Sequence, residues 1–170
     1  HSCNVIFMHD MGVPVLSDKM DMDCKTFCRE YLELMTKTEK LCTHGVVHGD
    51  IHCGNLVYKS TAKQGNKLSF IDWDESTFEK PMSRNAVTKS QKERYPDRFL
   101  KNSMAYTKVQ LYILLREIFN NNKGWKSEVT VAFHDDLSDL QTPEQLDSQY
   151  DKLKNEISAP LNSLESAVAR

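Results

Sequence analysis

The chain is short of the features that mark the most easily read protein classes. Its six glycines nowhere form G-x-G-x-x-G, so the sequence carries no glycine-rich phosphate loop. Five cysteines (Cys3, Cys24, Cys28, Cys42 and Cys53) make an odd set without C-x-x-C pairs, which argues against a zinc ribbon and a disulfide framework. The N-x-S/T glycosylation sequon is absent as well. No apolar run approaches the roughly 20 residues of a membrane span, and no secretory leader pattern is visible. A net charge of −2 and a pI near 6.3 provide no field that would favour nucleic acid or an anionic membrane as partner. Together these absences predict an intracellular chain of the cytoplasm or nucleus.

What is present suits one ordinary domain. Of 170 residues, 39% are hydrophobic and 27% charged, enough to bury a core. The chain opens on His1-Ser2 and enters the strand-like Val5-Ile6-Phe7-Met8 at once, which reads as a domain cut from something longer. Asp21 to Asp23 resembles a helix start. Phe27, Tyr31, Leu34, Met35, Thr38 and Leu41 follow near helical spacing up to Gly45. Cys24 and Cys28, four apart on this helix, read as small apolar side chains. Leu56-Val57-Tyr58 and Leu68-Ser69-Phe70-Ile71 predict a β-hairpin whose polar connection, "KSTAKQGNK", is long. Residues 79 to 102 are polar and irregular. Met104 to Phe119 predicts a helix with apolar residues around most of its circumference, hence central and buried. A helical segment is expected over about 127 to 138. Another helix is expected from Thr142-Pro143 to about Ser158, with Pro160 as its breaker. The fold class is therefore α+β, mainly helical.

The chemistry concentrates in "VVHGDIHCGNLVY", residues 46 to 58, where two histidines, an aspartate and an asparagine sit between apolar runs. Asn55 begins one hairpin strand and Asp72 follows the other, so both belong to the same end of the hairpin although 17 positions separate them. Asp50, Asn55 and Asp72 are thereby predicted to converge. A carboxylate with an amide oxygen is a hard-oxygen pair suited to Mg²⁺ that leaves room for phosphate oxygens. A second carboxylate beside it suits a base that orients a hydroxyl and takes its proton.

His48-Gly49-Asp50-Ile51-His52-Cys53-Gly54-Asn55 resembles the catalytic loop of the protein-kinase-like superfamily, with the same aspartate-to-asparagine spacing. Gly49 in the arginine position and His52 give the form HGDxHxxN, similar to the aminoglycoside and choline kinase branch. "FIDWDES", residues 70 to 76, is similar to the metal segment of that branch and of certain fungal and oomycete kinase-like proteins. The resemblance covers about residues 1 to 120. It implies a large, C-terminal lobe over 13–170 and a last small-lobe strand and hinge over 1–12. In this reading Met8, His9, Asp10 and Met11 meet adenine through main-chain groups. Asp50 is the implied base, and Asn55 and Asp72 the Mg²⁺ ligands. His48 supports the loop behind Asp72, His52 orients the loop through a main-chain hydrogen bond, and Asp74 is an additional metal or water ligand.

The sequence departs from that pattern in several places. No glycine-rich loop and no strand lysine paired with a helix glutamate precede residue 5, so the small lobe is absent from the chain. Without arginine before Asp50 and without A-P-E, activation-loop control of the standard protein-kinase type is not expected. The run "TKSQKERYPDRFLKN", 88 to 102, and the acidic "HDDLSD", 134 to 139, read as solvated surface rather than as sites.

The expected function is the catalytic lobe of an ATP- and Mg²⁺-dependent phosphotransferase. Its partners would be ATP and a hydroxyl acceptor, on a protein by preference or on a small molecule, with the small lobe supplied upstream or in trans. The competing expectation is a pseudokinase or interaction module. Neither nucleic acid nor a membrane is an expected partner.

Overall fold

The computed structural model describes residues 12–16, 22–61, 65–73, 76–78, 95, 97–100, 102–133 and 137–168. The expected strand at Val5–Met8 and the hinge positions Met8 to Met11 lie outside the described residues, as does Asp74.

The described elements, in order, are β1 (Val13–Pro14), α1 (Cys24–Thr43), β2 (Val46–Val47), a 3₁₀ turn (Cys53–Asn55), β3 (Leu56–Thr61), β4 (Gly65–Phe70), β5 (Thr77–Phe78), α2 (Asp97–Leu100), α3 (Ser103–Asn121), 3₁₀ turns at Lys123–Ser127 and Leu137–Asp139, and α4 (Pro143–Val168). β1, β3 and β4 form an antiparallel sheet in that order, and β2 pairs antiparallel with β5. The architecture is α+β and mainly helical. No helix among the described residues is long and apolar enough to cross a membrane.

Each long helix begins at a side-chain cap, which supplies partners for amide groups that the first turn leaves unpaired. Asp23 accepts from the Thr26 amide at 2.9 Å and from its hydroxyl at 2.6 Å. Asn102 accepts from Met104 and Ala105 at 2.9 and 3.0 Å. Thr142 accepts from Gln145 N at 3.3 Å while Gln145 Oε1 accepts from Thr142 N at 3.2 Å, a reciprocal capping box with Pro143 at the first helical position. α1 ends at His44 and Gly45, whose φ of 80° and N–H bond to the Cys42 carbonyl close the last turn.

α1, α3 and α4 pack against one another. α1 buries Phe27, Tyr31, Leu34, Met35 and Cys42 on one stripe, with Cys24 and Cys28 inside as small apolar groups. α3 buries residues around most of its circumference, from Ala105 to Phe119. Tyr31 donates to the Leu111 carbonyl at 2.7 Å and so locks α1 onto α3. α4 contributes Leu146, Tyr150, Leu153 and Ile157 to the same core.

Four expectations are corrected. The hairpin strands are longer and their connection shorter than the polar composition implied, because Lys59, Ser60 and Thr61 pair with Lys67, Asn66 and Gly65. An exposed two-stranded edge accepts polar side chains, so polarity did not mark the turn. Residues 128 to 133 are not helical. They run as turn and irregular chain between two 3₁₀ turns, with Val129 buried and Phe133 packed against Tyr112 and Phe119. Tertiary burial of these side chains overrides the weak helical pattern. α4 does not stop at Ser158. It passes through Pro160 to Val168, held by the core residues that precede the proline, since packing rather than propensity supplies most helix stability. Finally, part of the stretch from 79 to 102 is ordered as α2, where Arg98 donates to the carbonyls of Leu140 and Leu137 at 2.6 and 2.8 Å.

Candidate functional site

The loop from His48 to Asn55 runs between the two small sheets. β2 brings the chain in and β3 carries it out, so both ends are tied to paired strands. Gly49 has φ of 86°, a left-handed turn that a residue with Cβ adopts only under strain. Asp50 follows that turn directly.

Asp50 is held by two neighbours. His52 Nε2 lies 3.2 Å from its Oδ2, and Asn55 Nδ2 donates to the same oxygen at 3.2 Å and to the Asp50 carbonyl at 3.0 Å. The His52 tautomer follows from its second nitrogen. Nδ1 accepts the Gly54 amide at 3.0 Å, so the proton sits on Nε2 and is donated to Asp50. The expected main-chain hydrogen bond of His52 is therefore present, with Asp50 as its second partner. Gly54 makes this possible, since a Cβ there would meet the imidazole at 2.8 Å.

The Asn55 amide is oriented by charge. Both groups it faces at Asp50 are acceptors, which places the NH₂ toward them and leaves Oδ1 without a hydrogen-bond partner among the described residues. Asn55 is itself buried. Its carbonyl accepts from Ile71 N at 2.9 Å, extending the β3–β4 ladder one pair beyond Leu56 and Phe70. Asp72 is the next residue, exposed, with φ of 58°. Asn55 and Asp72 thus occupy the same end of the hairpin.

His48 lies under the loop, only 1% exposed. Its Nε2 donates to the Ile71 carbonyl at 3.1 Å, and Nδ1 accepts the Asp50 amide at 3.4 Å. The ring packs on Trp73 at 4.3 Å and edge-on to Phe70 at 5.3 Å. Burial pushes its pKa below the ordinary imidazole value of 6.5, against the opposing pull of the Ile71 carbonyl and the charges of Asp50 and Asp72. Both carboxylates act on this one ring.

Some members of the site were not anticipated from sequence. Tyr106 Oη and Gln110 Nε2, both on α3, donate to the Gly49 carbonyl at 2.8 and 3.0 Å. Tyr106 was read only as part of the apolar stripe. Gln110 carried a usable signal, an uncharged polar residue one turn later in an otherwise buried helix. Cys53 Sγ approaches Glu117 Oε1 at 3.6 Å, and burial leads the causes that raise its thiol pKa. A cleft of about 440 Å³ opens on this side of the loop, lined by Ile51, His52, Cys53, Arg116, Glu117 and Asn120 among others.

Among the described residues, no three His, Cys, Asp or Glu side chains gather as a metal-binding group. Asp50, Asn55 and Asp72 would supply two carboxylates and an amide. No family model matches the chain, and no curated protein or solved structure is significantly similar to it.

Proposed function

We propose that the chain is the catalytic lobe of an ATP- and Mg²⁺-dependent phosphotransferase of kinase-like fold that phosphorylates a hydroxyl, carried by a protein. The observation that supports this reading is the joining of two distant segments. Asp50 and Asn55 are hydrogen-bonded within one loop, and the Ile71–Asn55 ladder bond sets Asp72 at the same hairpin end. Asn55 and Asp72 fit Mg²⁺ in donor chemistry, because Asp50 occupies both Asn55 donors and leaves a hard oxygen as the remaining group. When bound, Mg²⁺ would screen the charge of the nucleotide phosphates.

Asp50 would accept the proton of the attacking hydroxyl. That oxygen forms a bond to the γ-phosphorus as the bond from the γ-phosphorus to the bridging oxygen breaks, giving a phosphate ester and ADP. His52, donating to Asp50 Oδ2, and Asn55, donating to the same atom, fix the carboxylate and leave Oδ1 to face the acceptor. A specific feature favours a second acceptor class. The cleft beside His52 and Cys53 has a volume within the range of small-molecule sites, which suits a small hydroxyl compound.

Transfer of labelled phosphate from ATP, assayed with protein and small-molecule acceptors on the chain with and without a small lobe supplied in trans, tests the proposal. Asp50→Asn is expected to lower transfer by about 10²–10⁴-fold, the usual worth of a positioned base, while Mg²⁺-dependent ATP binding persists. Transfer that is unaffected by Asp50→Asn would remove the enzyme reading. Mg²⁺-dependent ATP binding without any transfer would favour a pseudokinase.

A further inference from the structure

The Gly49 carbonyl sits one residue before Asp50 and collects two buried donors from α3. Tyr106 Oη lies at 2.8 Å and Gln110 Nε2 at 3.0 Å, and Gln110 Nε2 also reaches Tyr106 Oη at 2.9 Å. Tyr106 is fully buried and Gln110 is 1% exposed. The direction of the Gln110 amide is fixed by its surroundings, because turning it over would set Oε1 against the Gly49 carbonyl. The consequence is that Oε1 is left buried with no hydrogen-bond partner among the described residues. A buried acceptor without a partner is unfavourable, and a methionine would fill the same volume without one. Packing alone therefore does not account for glutamine at this position.

The place of the contact does account for it. Gly49 has a positive φ, and the plane of the Gly49–Asp50 peptide sets the direction in which the Asp50 side chain leaves the backbone. Two donors on one carbonyl fix that plane from a helix buried around most of its circumference.

We propose that Tyr106 and Gln110 are positioning residues that clamp the Gly49 carbonyl and thereby hold the Asp50 carboxylate against His52 and Asn55. Their relevance to catalysis rests on the reading of Asp50 as base, but the clamp has a readout of its own. His52 Nε2–H donates to Asp50, so the ring nitrogen shifts of His52 report where Asp50 points.

The test is ¹⁵N NMR of the histidine rings in the full chain for Tyr106→Phe, Gln110→Met and, as a control, Ile157→Val, which trims the buried core on α4. The two clamp variants are expected to move the His52 ring signals, with the control unchanged. Tyr106→Phe removes one oxygen atom and serves as the milder change if Gln110→Met lowers stability. In a chain that transfers phosphate, both should lower kcat by about 10²-fold, the effect of a small misplacement, with KM for ATP within about twofold. His52 signals identical to wild type in both clamp variants would overturn the proposal, whether or not the chain transfers phosphate. Shifted His52 signals in a chain that transfers no phosphate would support the clamp and count against the phosphotransfer reading alone.

Discussion

His48 shows how a single ring ties the two halves of the site together. It bonds the Ile71 carbonyl on one side and the Asp50 amide on the other, and it is held neutral by burial. The folded pKa lies below the unfolded one, so on acidification the unfolded chain takes up this proton first. The stabilising contribution is complete above about 6.5 and is lost as pH falls toward the folded value. Urea midpoints measured at about pH 7.5 and about pH 5.5 should therefore fall more in wild type than in His48→Gln, which carries no titrating ring. Equal falls would mean that the folded state accepts the proton as readily as solvent-exposed imidazole does. From sequence, the resemblance implied His48 as a support behind Asp72. Its specific partners were not, because a backbone carbonyl 23 positions away leaves no mark on residue type.

At the scale of elements, the hairpin was readable because two short strand-forming runs, Leu56-Val57-Tyr58 and Leu68-Ser69-Phe70-Ile71, flank one polar stretch. What joins it to the rest was less so. β1 is two residues long and pairs with β3 only because Gly12, at φ of 110°, brings the chain against Tyr58. A Cβ at Gly12 would run into the Tyr58 carbonyl, whereas one at Gly65, also at positive φ, would meet open space. Gly12→Ala is thus expected to destabilise by about 2–4 kcal/mol, since collision adds to backbone strain, and Gly65→Ala by only about 1 kcal/mol. Chemical denaturation of the two variants separates collision from strain, and equal losses would show that the β1–β3 approach is not tight. The helices divide in the same way. Caps at Asp23 and Thr142 announced their starts, but Pro160 announced a stop that packing upstream of it overrules.

Over the whole molecule, the three long helices form a scaffold and the small sheets carry the loop. That Asn55 and Asp72 share one end of the hairpin could be argued from the hairpin alone. The link from Tyr106 to Gly49, 57 positions apart, could not, because it depends on how α3 lies under the loop. Scaffold and site should therefore respond separately to substitution. Glu39 on α1 accepts from Tyr150 Oη at 2.8 Å and from Lys154 Nζ at 3.0 Å, both on α4. Tyr150 is fully buried, so Glu39→Ala strands its hydroxyl in the core and leaves Lys154 without that carboxylate. A loss of about 1–3 kcal/mol is expected from the orphaned hydroxyl, with little added by the lysine, which remains partly exposed. The urea midpoint should fall accordingly while the His52 ring signals stay at their wild-type positions. A variant that moved those signals as well would mean that the α1–α4 junction and the loop form one cooperative unit, and the clamp on Gly49 would then be one of several routes by which the scaffold aims Asp50.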